Sequence, residues 1–389
     1  MVTVDPRIRT HLVVLLAAAS HTRDGSDRHA YFFQVVEVPF RFVKKRTTMP
    51  RNDGLKIDRD VILFFADRDP DTFVRGDRHL RRRIRKFVAN FRPHQQRVSG
   101  FEVSFQLLCR ALREAGRTVH VDDYRLARRN PDYPVGLCGY KYILDGWNLP
   151  NPAVLGPGLY DHPKQAPQLL QDLRFRSFLT LCDWMRDMFA GLYSRDKLDL
   201  WFGGIDLAEW PDSRFETKTI DVLVYDKIRW NRDSLEPTLL EPIVALLEKR
   251  GLSYEVIRYG RYTHDDYRNA LRKGRSMVFL CEHETQGMAY QEALASNVPV
   301  IAWDQGTWLD PNRPLWEAEP VPASSVPYFS ITCGERFRDM SDFAETFNRF
   351  WNRLNRYEPR KYVASELSFE ASAAMYLKAY ERAGSSIVR

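Results

Sequence analysis

The sequence predicts an α/β protein with two doubly wound, Rossmann-like domains in one chain. Three observations carry that expectation. The 389 residues suit about two domains, each able to bury its own core. Apolar runs of strand length alternate with amphipathic stretches of helical spacing. A polar break at 209–218 (EWPDSRFETK) separates two such alternations. The boundaries that follow are an N-terminal extension of unassigned role at 1–58, a first domain at 59–210, a linker at 211–218, a second domain at 219–350 and a helical tail at 351–389.

In the extension, residues 12–19 (LVVLLAAA) follow Arg7 and Arg9, and 17–20 are small, as in a secretion signal. A buried first strand or helix, or a chain start assigned upstream of Met49, is the plainer reading, because nothing else looks exported. Residues 31–43 (YFFQVVEVPFRFV) have strand character, and 44–54 reads as a polar linker. Residues 60–66 (DVILFFA) read as the first buried strand of the first domain. In 101–115, Phe101, Phe105, Leu108, Leu112 and Ala115 recur at helical spacing, and Gly116 closes the helix. A strand at 118–121 follows, then short strands at 142–144 and 153–155, a helix over 176–193 (RSFLTLCDWMRDMFAGLY), and a short strand at 198–202 that runs into Gly203-Gly204-Ile205-Asp206.

Beyond the linker the alternation is more regular. Strands are expected at 220–225, 254–258, 276–281 and 298–303, with helices at 237–250, 264–273 and 288–296. The tail from Phe343 is helical, with a break at Glu358-Pro359 and a last helix near 369–382.

Composition narrows the class. No apolar run approaches the roughly 20 residues of a membrane-spanning helix. Five scattered cysteines, flanked by apolar residues and without metal-ligand spacing, read as buried free thiols of a reducing compartment. A cytoplasmic location follows. The net charge of +7 is concentrated in 75–86 (RGDRHLRRRIRK). That segment is either a solvated face or a contact for an anionic membrane or acceptor. No nucleic-acid-binding motif accompanies it, so nucleic acid is not an expected partner.

The most informative stretch is 276–306, SMVFLCEHETQGMAYQEALASNVPVIAWDQG. It reads as strand, polar turn, short helix and strand, with Glu284 in the turn and Glu292 inside the helix. Ligands of open α/β sheets bind at the carboxyl ends of strands. Ala289, Glu292, Ala293 and Ser296 share one helix face, so Glu292 sits among small residues and needs donors. The free amides of Thr285, Gln286, Gly287 and Met288 suit a phosphate, and Gly287 allows close approach. On spacing alone, Glu284 as a helix-start charge and Glu292 as a surface residue explain the pattern equally well.

The string E-H-E-T-Q-G-M-A-Y-Q-E-A-L-A-S-N-V-P-V-I-A resembles the E-x7-E motif of retaining GT-B glycosyltransferases, family four in particular. Glu284, Gly287, Glu292, Ala293, Ala295, Pro299 and Val300 match position by position. Weaker matches are Gly203–Asp206, which is similar to the end of that family's N-terminal domain, and 367–380 (LSFEASAAMYLKAY), which is similar to its C-terminal crossing helix. Gly100 falls where its glycine-rich acceptor loop lies. The resemblance covers roughly 60–382 and is strong only at 276–303.

This resemblance implies a metal-free transfer of sugar from a nucleotide sugar to a glycan, lipid-linked or small acceptor, with retention of configuration and no cofactor. It places Glu284 on the sugar, Glu292 on the ribose, and residues 285–288 on sugar or phosphate. It implies Lys/Arg partners for the diphosphate after the domain's first strand; here Lys227, Arg229 and Arg232 are the candidates, although the family's Gly-Arg opening of that loop is absent. Asp304-Gln305-Gly306 is positioned to close on the donor. His162, in GPGLYDHP, faces the cleft or is an ordinary loop histidine. Three rivals stand: a metal-dependent site at Asp67-Arg68-Asp69, a non-catalytic binding or scaffold protein of the same fold, and a nucleotide-sugar epimerase.

Overall fold

The computed structural model describes residues 13–18, 32–37, 55–67 and 100–385. The basic segment 75–86, and Arg68 and Asp69 of the Asp-x-Asp pair, lie outside these residues. The chain forms two compact units, 1–54 and 55–389. In the first, β1 (Val13–Ala18) and β2 (Phe32–Glu37) pair antiparallel, so the run at 12–19 takes the strand option.

The second unit holds two parallel sheets. The first contains β3 (Asp60–Ala66), β4 (Thr118–Val121), β5 (Val135–Tyr140), β6 (Ala153–Leu159), β7 (Phe175–Thr180) and β8 (Leu198–Leu200), in the order β4-β3-β5-β6-β7-β8. The second contains β9 (Ile220–Lys227), β10 (Tyr254–Arg258), β11 (Gly274–Cys281), β12 (Val300–Trp303) and β13 (Gly334–Phe337), in the order β10-β9-β11-β12-β13. Every pairing in both sheets is parallel. In sequence order the second sheet reads 2-1-3-4-5, so its topological switch lies between β9 and β11, where α/β proteins open a crevice for ligands.

Helices cover the sheets, as parallel strands require. They include α1 (Gly100–Glu114), α2 (Tyr124–Arg129), α3 (Asp183–Ala190), α4 (Glu241–Lys249), α5 (His264–Lys273), α6 (Met288–Ala295), α7 (Met340–Asn352), α8 (Pro359–Glu366) and α9 (Phe369–Ser385). Side chains along β9 and β11 alternate between two apolar layers: Leu223, Tyr225, Met277 and Phe279 enter one, Val222, Val224, Val278 and Leu280 the other. Both faces are dry, which explains why these strands are continuous apolar runs.

The last helix returns to the first domain. Phe369, Ala373, Tyr376, Tyr380 and Ala383 of α9 are part of the first sheet's core. The Tyr380 hydroxyl donates to Pro134 O at 2.6 Å and accepts from Ile62 N at 2.9 Å. Gly136 on β5 makes room for Tyr376, whose hydroxyl lies 2.0 Å from where a Cβ would stand. Two parallel sheets in series, closed by a C-terminal helix on the first, form the GT-B architecture that the sequence predicts.

Three expected elements are corrected. Residues 142–144 are not a strand; a single helical turn, Lys141–Ile143, follows the real strand β5. That strand carries Gly136 and Gly139, which dilute its apolar pattern, and Gly139 (φ +93°) brings its backbone against Ala66 O. The helix expected over 176–193 is strand β7 followed by α3. Its apolar residues satisfy both periods, and burial between β6 and β8 decides for strand. The second sheet has a fifth strand, β13, whose four residues GERF give no periodic signal.

Among the described residues no helix is long and apolar enough to cross a membrane. All five cysteines are buried and free.

Tyr380→Phe keeps the ring but removes both hydroxyl bonds, stranding a buried N–H and a carbonyl. It lowers unfolding stability by about 1–3 kcal/mol in urea titrations; an unchanged midpoint and slope would show that α9 is not anchored there.

Candidate functional site

Strand pairing builds the site. In the β9–β11 ladder Cys281 stands opposite Lys227, so the last residue of one strand meets the segment that leaves the other. Lys227 therefore reaches Glu284, and Nζ and Oε1 form an ion pair. Burial works against the Lys227 ammonium, but the Glu284 carboxylate more than compensates and raises its pKa well above the usual lysine value. The ammonium also lies 4.6 Å from the centre of the Tyr259 ring, at the end of β10.

The loop after β9 is fixed by two buried carboxylates. Asp226 accepts from the amide of Ile228 at 3.2 Å and from both arms of Arg232, at 3.0 and 2.6 Å. Arg232 also reaches Glu236 at 2.8 Å. Glu282 accepts from the amides of Arg229 and Trp230 at 2.7 and 2.9 Å. The Arg229 guanidinium lies over Trp230, 4.2 Å from the ring centre, and donates to His283 O at 2.8 Å. His283 stacks on Trp230 with centroids 5.3 Å apart. Burial, with Arg229 and Lys227 nearby, pushes His283 down to about 3, so its ring is neutral.

The motif turn is held from both domains. Glu284 N donates to Ser324 O at 2.9 Å, and Trp184 Nε1 of α3 donates to Glu284 O at 2.9 Å. Gln286 turns inward and donates from Nε2 to Gly203 O at 2.7 Å and to Met288 Sδ at 3.0 Å. Gly287 has φ +80°, and a Cβ there would stand 2.1 Å from the Tyr290 ring, so only glycine fits. It caps α6, whose first residue is Met288, and among the described residues the amides of Thr285, Gln286 and Gly287 have no main-chain acceptor. Asp304 accepts from Ser325 N at 2.9 Å, and Gln305 Nε2 donates to Glu282 O at 3.0 Å, so this segment braces the loop from the other side.

Glu292, on α6, is half-buried, and among the described residues its carboxyl has no hydrogen-bond or ion-pair partner. Burial, reinforced by Glu209 and only partly offset by Arg268, pushes it up to about 8. The tyrosines Tyr262 and Tyr267 feel its charge; Tyr267 is itself tied to Ala289 O at 2.6 Å. A desolvated carboxyl without donors suits a ligand that brings hydroxyl groups.

The other sequence candidates fall outside this cluster. Gly100 is the exposed first residue of α1, and a Cβ there would meet nothing within 4 Å. His162 is fully buried where the domains meet: Nδ1 accepts from Lys164 N at 3.1 Å, Nε2 lies 3.0 Å from Glu317 Oε1, and the ring is nearly parallel to Trp308 and Trp316. Burial lowers its pKa despite Glu317. Asp67 directly follows β3. Among the described residues no group of three or more His, Cys, Asp or Glu side chains is placed to hold a metal ion.

Sequence reasoning missed Glu282, Asp226, His283 and Trp184. Glu282 stands two residues before Glu284, but nothing in one dimension says that it serves the loop 53 residues earlier. Trp184 lies in the stretch expected to be one long helix.

No protein-family description and no curated protein matches the chain. Similar solved structures include TarM, aligned over 63% of this chain and 54% of its own, with 11% identity and a TM-score of 0.45. Sucrose-phosphate synthase from Thermosynechococcus elongatus aligns over 84% of this chain and 100% of its own, with 11% identity and a TM-score of 0.49. The lipopolysaccharide outer core galactosyltransferase WaaB aligns over 84% and 100%, with 10% identity and a TM-score of 0.43. This chain spans about half the length of TarM. At such identities and TM-scores, none of these bears on the chain's activity.

The raised Glu292 carboxyl makes a pH prediction. Its folded pKa, about 8, exceeds the ordinary 4.5, so folding takes up a proton between those values. Stability is therefore lost as pH rises through that window. The melting temperature of Glu292→Gln falls less across the window than that of the wild type; parallel curves would remove Glu292 as the source.

Proposed function

We propose that the chain is a glycosyltransferase that moves a sugar from a nucleotide-sugar donor to a glycan, lipid-linked or small acceptor, with retention of configuration. The observation that carries this reading is the juxtaposition at the β9–β11 switch. A cation, Lys227, lies beside the carboxylate of Glu284, and the carboxyl of Glu292, without a donor among the described residues, lies on the helix that follows.

In this reading a diphosphate lies against Lys227 and Arg229, with the amides at 285–288 closing on it from the start of α6. Arg232 serves the site indirectly, since Asp226 and Glu236 already engage it. The cation and amides favour the charge that develops on the departing diphosphate, and they need no reorganisation to do so. Glu292 receives the ribose hydroxyls and Glu284 those of the sugar. The acceptor hydroxyl enters on the face the diphosphate leaves, so the proton it loses passes to the leaving group and no separate base is assigned. His162, enclosed by Trp308, Trp316 and Glu317, shapes the junction between domains rather than touching the reacting atoms.

A thermal-shift screen of nucleotide sugars tests the proposal. At least one donor raises the melting temperature of the wild type and not of Glu292→Ala, and transfer with that donor survives EDTA. Equal stabilisation of both proteins would place the site elsewhere. Loss of transfer on chelation, restored by Mn²⁺, would favour a metal-dependent site. Binding without turnover would leave a binding protein of the same fold, and an altered sugar released without acceptor would identify an epimerase.

A further inference from the structure

The charges of the site are paired among themselves. Lys227 faces Glu284, Arg229 faces Glu282, and Arg232 faces both Asp226 and Glu236, so each cation has at least one carboxylate. An anionic ligand therefore meets no uncompensated charge unless one of these carboxylates gives way.

Asp226, Glu282 and Glu284 differ in what holds them. Asp226 and Glu282 are each 1% exposed and accept from main-chain amides, at Ile228 for the first and at Arg229 and Trp230 for the second. Moving either would strand buried N–H groups and an arginine. Among the described residues the Glu284 carboxylate takes no main-chain donor. Its partners are Lys227 and the thiol of Cys281, at 3.4 Å, and its side chain is 11% exposed against 14% for Lys227. Among the described residues the Lys227 ammonium has one further contact, the Tyr259 ring.

We infer that Glu284 is the resting counter-ion of Lys227 and that the diphosphate of a donor displaces it, whereas Asp226 and Glu282 are positioning residues that keep the cationic loop in place. The exchange rests on reading the site as one for a nucleotide sugar, and it adds an order of events. The carboxylate meant for the sugar is occupied by Lys227 until a diphosphate takes the ammonium over. Glu284 is then released beside the sugar that the same diphosphate carries. A free sugar, bringing no diphosphate, leaves the pair intact and finds Glu284 engaged.

Calorimetry with UDP, GDP and ADP, following whichever binds the wild type most tightly, tests this. Glu284→Gln frees Lys227 and binds that nucleotide tighter by about tenfold, since the nucleotide no longer competes with a buried partner. In a Lys227→Met background the Glu284→Gln change has no effect on binding. Glu282→Gln, which loosens the loop, weakens binding. The opposite signs matter, because general damage to the fold would weaken both variants. If the wild type binds a nucleotide and Glu284→Gln binds it equally or more weakly, the exchange is overturned and the donor-site reading stands. If none of the three nucleotides binds the wild type, both are overturned.

Discussion

The parallel pairing of β9 with β11 is the constraint on which the site depends. Adjacent parallel strands end side by side, and here their register sets Lys227 against Cys281. The two strands are 46 residues apart in sequence, yet a cation leaving one is placed within reach of a carboxylate leaving the other. Two further consequences follow from the same geometry. Glu282, the first residue beyond β11, reaches the amides of the loop after β9, and Gln305, just beyond β12, supports Glu282 through its main-chain oxygen. The carboxyl ends of three neighbouring strands thus form one braced rim.

That rim is also where the domains touch. Trp184 and Gly203 of the first domain take up hydrogen bonds with the turn that carries Glu284 and Gln286, while Lys164 and His162 meet Glu317 from the loop after β12. The return of α9 to the first sheet holds the arrangement from behind, through Tyr376 and Tyr380 in that sheet's core. The charge-bearing turn is consequently not a free loop. Its conformation is set by main-chain bonds to both halves, so what remains adjustable there is the side chain of Glu284 rather than its backbone.

Much of this was legible in one dimension, for identifiable reasons. Strands buried on both faces are continuous apolar runs, and β3, β9, β11 and β12 were read from theirs. The turn before α6 announced itself through Gly287, which the structure shows only glycine can fill. The failures have equally local causes. β5 is broken by glycines whose purpose is to admit Tyr376 and Ala66, partners far away in sequence; β7 has apolar residues that fit two periods; β13 is too short to show any. Glu282 and Asp226 looked like ordinary polar residues because their role is to satisfy amides whose position only the fold defines.

The sequence by itself determined the class of fold and the position of the strand–turn–helix–strand unit at 276–303, because periodicity is a property of neighbouring residues. Only the tertiary structure decided how the three cations are used. Arg232 is consumed by Asp226, Arg229 is held at the rim by Glu282 and His283, and Lys227 faces Glu284. Which carboxylate each cation meets depends on strand register and on burial, and neither is written in the spacing of charges along the chain.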